Sequence, residues 1–325
     1  MNKFKLIYYT LKSIGIFFIF KKVISYKPVV ICYHRISKIK IQEHLLWFKR
    51  NYSLMQLNDL LDKSINSKQK KRYDFPALAI TMDDCYENDF TNMINTTLKE
   101  QVHCTYFVPL AYVQENKSFW SLRIIHSINN LILPNMLILD NGESKLLNTE
   151  SQKKEFIKEF IYELQENNIQ TIEIENKVSN FLKRNELDDK ADKIININAI
   201  KENEKNPLVS FQSHTLTHPK LYLCNEEELE NEFIGSKQTL NKFDFGYKQE
   251  TICYPYGSYK LIGNSYKMAG NTYNFGVTLV PGVINKDTNS LLIPRIGIYE
   301  NDTIYSIELK FLKAQLLNSL KKFKL

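Results

Sequence analysis

Short, almost wholly apolar runs alternate along this chain with longer stretches whose apolar residues recur at helical intervals, and few folds accommodate both. "VVICY", "ALAITM", "CTYFVPL" and "LVSFQS" are the clearest runs. Apolar segments of that length, rich in β-branched and aromatic residues and lacking polar alternation, read as strands covered on both faces. Between them lie "IQEHLLWFKRN", "MQLNDLLDKSI" and "NDFTNMINTTLKEQ", each with helical spacing. Strand followed by helix, repeated, predicts parallel strands joined by crossover helices, so the fold class is α/β. "TICYPYG", "NFGVTLV" and "LLIPRIGI" continue the strands, and a last helix begins at about Thr303.

The pattern changes from about 115 to 206, where Lys, Glu, Asn and Ile dominate, as in "SQKKEFIKEFIYELQENN" and "IEIENKVSNFLKR". This predicts a helical insertion into the α/β unit. The repeat then resumes, with "NEEE" offering Asn225 as an N-cap and Glu228 as its capping-box partner. A chain of 325 residues with 43% hydrophobic residues suits one α/β domain, 26–325, carrying that insertion.

The net charge of +7 is unevenly placed: residues 1–40 carry nine lysines and arginines and no acid. "MNKFKLIYYTLKSIGIFFIFKK" has a basic start and an apolar centre, but Lys12 divides that centre and no small-residue cleavage site follows. Its apolar run falls well short of the roughly 20 residues a bilayer span takes. Two readings stand: an amphipathic helix over 1–25, touching an anionic membrane through residues 1–22, or a helix packed on the domain. The basic residues do not form the interleaved face that nucleic acid requires. Five cysteines without a CxxC favour reduced thiols, and hence a cytoplasmic protein, peripheral on the inner face of the membrane if the N-terminus binds it.

In parallel α/β folds the carboxyl ends of the strands converge on one mouth. Asp83 and Asp84 sit at such an end, as do His214 in "SFQSHTLTHP", His34 in "CYH" and Tyr256 in "CYPYG". His218 follows His214 at i+4. Two imidazoles and a carboxylate suit a catalytic zinc site with an open position. Adjacent carboxylates repel, so a divalent cation beside Asp84 offsets their cost and leaves Asp83 free to accept a proton. The plainer alternatives are an Asx turn capping the next helix and hydrogen-bonded loop histidines.

In that order, "TMDDCY", "SHTLTHP" and "YPYGSY" resemble the first three motifs of the polysaccharide deacetylases, the NodB-like carbohydrate esterases. The resemblance covers roughly 29–112 and 208–299, leaving out the insertion and the N-terminal 25 residues. It implies a distorted (β/α) barrel of the NodB type and metal-dependent removal of N-acetyl groups from amino sugars of a polysaccharide or a lipid-linked glycan precursor. It also implies roles: Asp83 as general base, Asp84, His214 and His218 as ligands of a divalent metal, most simply zinc, and the Tyr256 N–H as an oxyanion donor. Arg295 in "LLIPRIGIY" resembles a recurrent family position, and three readings stand for it: tethering Asp83, meeting an anionic substrate, or a simple surface ion pair.

Two departures stand out. Cys85 occupies a place where the family usually has glycine, either as a small turn residue or as a thiolate near the metal. The C-terminal Leu-x-His motif that supplies the general acid is missing, since no histidine follows His218. Relatives such as the intercellular-adhesin and poly-N-acetylglucosamine deacetylases carry a permuted "YH" strand ahead of the first motif, and "VVICYHRIS" is similar to it. His34 is then the expected acid, facing Asp83 from across the site. The same chemistry would serve a deformylase or a cyclic-amide amidase, and a catalytically silent glycan-binding protein would keep the fold alone. His44, His103 and His126 match no motif, and Trp47, Phe119 and Trp120 read as packing groups before sugar platforms, although Phe119 and Trp120 start the insertion, where a substrate rim could lie.

Overall fold

The computed structural model describes residues 9–10, 26–66, 76–166 and 171–322. The helix expected over 1–25 therefore lies, except for Tyr9 and Thr10, outside the described residues. The described residues form ten strands: β1 (Val29–Tyr33), β2 (Ser53–Leu54), β3 (Ala77–Met82), β4 (Cys104–Val108), β5 (Asn135–Ile138), β6 (Ser144–Leu147), β7 (Val209–Ser213), β8 (Thr251–Cys253), β9 (Phe275–Val277) and β10 (Ile296–Gly297). Eight form one parallel sheet in the order β10-β1-β3-β4-β7-β8-β9, with β2 paired to the start of β3. Ile293 bridges to Val277 on β9, while Ile296 and Gly297 pair with Ile31 and Cys32 on β1. One stretch of chain thus touches both edges and curls the sheet into a distorted barrel.

Every residue of β1, β3, β4 and β7 is buried. This explains why those runs show no polar alternation: helices cover one face and the barrel interior fills the other. The period of two still sorts them. Val29, Ile31, Leu78 and Ile80 join the larger core between sheet and helices. Val30, Ala77, Ala79, Phe107, Cys253 and Val277 form the smaller core inside.

The helices Lys38–Asn51 and Glu87–Lys99 fall where their spacing predicts, and the helix at Glu226 has the Asn225–Glu228 capping box. The insertion is not wholly helical. Its helices Trp120–Asn129, Glu150–Glu166 and Thr171–Arg184 surround an antiparallel hairpin of β5 and β6. In that hairpin only Leu137 and Leu147 are buried, too short a signal to separate from helical spacing. The insertion packs a core of its own around Ile124, Phe156, Val178 and Phe181. Its exit segment returns to the mouth, where Ile195 N–H donates to Cys85 O (3.0 Å) and Glu87 N–H to Lys193 O (2.9 Å).

Candidate active site

Alternation along β1 and β3 aims Cys32, His34, Thr81 and Asp83 inward at the carboxyl end of the barrel. Asp83 is fixed first by its backbone, whose N–H donates to Tyr33 O at 2.9 Å. Its carboxylate, 1% exposed, takes a two-pronged contact from Arg295: Nη1 to Oδ1 at 2.7 Å and Nη2 to Oδ2 at 2.6 Å. Arg295 has no solvent exposure; its Nε donates to Thr278 O (2.9 Å), and Nη1 also reaches Thr81 Oγ1 (2.9 Å). Burial alone would push the Asp83 carboxyl up, but the guanidinium holds it far below the usual carboxylate range. Arg295 is correspondingly fixed as a cation despite its burial.

Asp84 is turned away from its neighbour by the backbone. Asp84 and Cys85 lie at φ +64° and +58°, the left-handed region, where a side chain costs roughly 1–2 kcal/mol per residue. Hydrogen bonds hold the turn, Cys85 N–H to Asp83 O at 2.7 Å and the insertion's Ile195 N–H to Cys85 O. The two carboxylates therefore meet different partners. Asp84 Oδ1 stands 3.3 Å from His214 Nε2 and 3.6 Å from His218 Nε2. These contacts are not aligned as hydrogen bonds, and Oδ1 is a buried oxygen with no hydrogen-bond partner. Burial opposes ionisation of Asp84, yet the two imidazoles bring its carboxyl down to about 2.

His214, 2% exposed, hydrogen-bonds through Nδ1 to Cys253 O at 2.9 Å. A carbonyl only accepts, so Nδ1 carries the proton and Nε2 turns its lone pair to Asp84 when the ring is neutral. Burial would lower this imidazole's pKa, but Asp84 and Asp83 raise it. His218 goes the other way, down to about 3, through burial and the neighbouring His214. The loop between them is held from below by Glu232. Its carboxylate accepts Leu216 N–H (2.8 Å), Thr217 N–H (2.9 Å) and the Thr217 hydroxyl (2.5 Å). Nothing in the sequence pointed to Glu232, because its role depends on a helix that packs beneath a loop.

Among the described residues three overlapping donor groups have their ligand atoms within 4.8 Å of one another: Cys32–His34–Asp83, Asp83–His214–Cys253 and Asp84–His214–His218. Physical chemistry separates them. The first two share Asp83, whose oxygens already face Arg295, and their thiols are pushed up by burial and stay protonated. Cys253 instead receives Arg295 Nη2 (3.0 Å) and donates to Asp83 Oδ2 (3.3 Å). Only the third offers an orphaned carboxylate oxygen and two imidazoles with no cation in contact, a set that fits a divalent metal.

His34 is placed beside Asp83, not across from it, with Nε2 3.7 Å from Oδ2 and Nδ1 3.6 Å from Cys32 Sγ. The reason is that β1 and β3 are adjacent strands, paired as far as Tyr33–Met82, so their next inward residues meet. Tyr256 lies at φ +59° with its ring 5.2 Å from His218, and its N–H has no acceptor among the described residues. Gly257 follows at φ +58°, where a Cβ would come within 2.5 Å of Leu279 N, so glycine is required. Cys85 points into the core, Sγ toward Phe107 O (3.6 Å), and joins none of the donor groups, which makes it a turn residue. His44 bonds to Tyr33 and Asp302, His103 to Ser210, and His126 to Asn130, all away from the mouth. Phe119 packs its ring 4.6 Å from that of His218.

A parallel barrel whose carboxyl-end mouth holds ionised carboxylates, two imidazoles and a buried arginine defines a hydrolytic α/β-barrel enzyme. The family model for polysaccharide deacetylase matches residues 70–273, and the chain belongs to that family. The match includes Asp83, Asp84, His214, His218 and Tyr256 and leaves His34 and Arg295 outside. A polysaccharide deacetylase from Bacillus cereus superposes with a TM-score of 0.53 at 18% identity, over 88% of this chain and 69% of that one. A Streptococcus pyogenes deacetylase in complex with acetate gives 0.51 at 15%, over 89% and 98%. A de-N-acetylase from Aggregatibacter actinomycetemcomitans gives 0.53 at 14%, over 87% and 99%. At these identities the likeness is one of fold. No curated protein sequence matches the chain.

Proposed function

We propose that this family member is a metal-dependent deacetylase that removes the N-acetyl group from an amino sugar of a polysaccharide or lipid-linked glycan precursor. The observation that carries the reading is the buried, unpartnered Asp84 Oδ1 beside His214 and His218. Those three residues would hold the metal, with zinc the natural choice for two imidazoles and a carboxylate. When bound, a divalent cation supplies polarisation of the acetamide carbonyl and a more acidic attacking water.

The chain's own groups do the rest. Asp83 is the general base. Its pairing with Arg295 keeps it ionised and in place, and also weakens it as a base, which is why the reading calls for an acidified water. The Tyr256 N–H, fixed by its left-handed backbone, donates to the developing oxyanion. His34, at the open side of Asp83, delivers the proton to the departing amine through Nε2. Among the described residues no helix is long and apolar enough to cross a membrane. Membrane contact is proposed from the basic, aromatic N-terminal sequence alone, and flotation with anionic vesicles of the full chain against a 23–325 truncation tests it.

The central experiment is metal analysis of the purified chain coupled to acetate release from N-acetylated glycans. His214→Ala should lose both metal and acetate release. Full metal occupancy in that variant overturns the ligand assignment, and acetate release from the metal-free chain overturns the metal dependence.

A further inference from the structure

Cys253, the last residue of β8, touches both halves of the candidate site. Its side chain is fully buried, with Sγ 3.3 Å from Asp83 Oδ2 and 3.0 Å from Arg295 Nη2. Nη2 in turn stands 2.6 Å from the same Oδ2, so the three atoms close a ring. A thiol has one hydrogen to give and lone pairs with which to accept. Sγ therefore takes a guanidinium N–H and passes its own hydrogen to the carboxylate; the alternative acceptor, Tyr254 O, lies farther off at 3.9 Å. The main chain of the same residue serves the metal side, where its carbonyl accepts His214 Nδ1–H at 2.9 Å. The base and one candidate ligand are thus both referred to a single residue.

Packing alone does not call for a thiol here. The inner core to which Cys253 belongs is apolar, with Phe107 and Val277 among its members, and a purely apolar side chain would suit it. What the thiol adds is polar. Without Sγ, the Nη2 hydrogen that meets it is left buried and unmet, a cost that tilts the guanidinium toward other acceptors. The Asp83 carboxylate follows its two-pronged partner, and a reacting group displaced by about 1 Å can lose about a hundredfold in rate. We propose that Cys253 is a positioning residue of the hydrolysis: its thiol locks the Arg295–Asp83 fork in the orientation from which Asp83 takes the proton of the attacking water, while its carbonyl fixes the His214 ring. The proposal rests on the reading of Asp83 as general base, and it does not depend on which acyl compound fills the mouth.

Cys253→Ala and Cys253→Val delete the thiol and keep the carbonyl, whereas Cys253→Ser keeps a group that donates and accepts. Each zinc-loaded chain is assayed for acetate release from a β-linked N-acetylhexosamine oligomer and from 4-nitrophenyl acetate. The ester needs attack by water but neither sugar recognition nor a proton for its leaving group. The alanine and valine variants should hold zinc as wild type does and lose about tenfold in kcat on both compounds at unchanged KM, the low end for a hydrogen bond to a charged group because S–H is a weak donor. The serine variant should regain most of that loss. Two apolar replacements of different volume separate the missing thiol from a cavity or from crowding. Wild-type kcat in both, a serine variant no faster than alanine, or a loss that follows zinc content overturns the proposal. So does a raised KM at unchanged kcat, since the thiol then serves substrate binding. Hydrolysis of the ester but of no glycan by wild type sinks the deacetylase reading and leaves the comparison standing on the ester; hydrolysis of neither overturns both.

Discussion

Arg295 and Asp83 form an ion pair with side chains 0% and 1% exposed, and such a pair is worth most as a constraint. Removing one member leaves the other charged and unmatched, which costs about 3–5 kcal/mol. Asp83→Asn should therefore destabilise the fold by that order in urea unfolding and also lower acetate release by roughly 10² to 10⁴. Asp83→Asn combined with Arg295→Met should recover the stability and not the turnover; recovery of both would move the base elsewhere. His103 offers a pH test remote from the mouth. Burial brings its imidazole down to about 4 from an ordinary value near 6.5. The unfolded chain thus binds the extra proton first, and stability is lost as pH falls from about 6.5 to about 4. His103→Gln should flatten that part of the stability curve by about 1–3 kcal/mol, while an unchanged slope would show that the ring titrates alike in both states.

Among elements, the loop 214–218 and the helix at Glu226 separate holding the site from holding the fold. Glu232 accepts three hydrogen bonds from the loop and belongs to none of the three donor groups. Glu232→Gln replaces one acceptor oxygen by an N–H pair facing the loop's own donors. Metal affinity, measured by competition with a chelator, should fall about ten- to a hundredfold, as when a supporting partner of a ligand is lost. Asn225→Ala removes the capping box at the start of the same helical stretch. It should cost about 1 kcal/mol and leave metal affinity unchanged. If the two variants behave alike, Glu232 is a stability residue and not a positioning one.

On the scale of the molecule, the insertion and the barrel are joined by polar contacts and by Phe119, Ile194 and Ile195, which pack in the barrel's core. The insertion has a separate apolar core, and Arg123 braces it from within, Nη1 to Glu175 (2.8 Å), Nε and Nη2 to Asp189, while Tyr112 of the barrel reaches the same Glu175, donating to it at 2.7 Å. Glu175 is 6% exposed, and losing its arginine leaves only Lys117, 3.6 Å away, to match a buried carboxylate. Arg123→Ala should destabilise by about 3 kcal/mol. Hydrogen exchange should locate the loss in residues 120–184 while the barrel strands stay protected. Uniform loss across both bodies would mean that they unfold as one unit.

Strand and helix were readable from the chain because each obeys a local rule: a period of 3.6 marks a covered helix, and an unbroken apolar run marks a strand buried on both faces. The Asn225 cap and the strand-end positions of Asp83, His214, His34 and Tyr256 belong to the same local grammar, as does the motif order that resembles the deacetylases. The β5–β6 hairpin escaped because two buried residues carry too little periodicity. Arg295 lies 212 residues from Asp83 in sequence and Cys253 lies 170 away, and barrel closure brings both to one carboxylate. The left-handed turn at Asp84 and Cys85 gives two adjacent carboxylates opposite partners, and no local signal announces it. Donor identity is written in residue types, whereas which donor is free to bind depends on who else reaches it, and only the packed chain decides that.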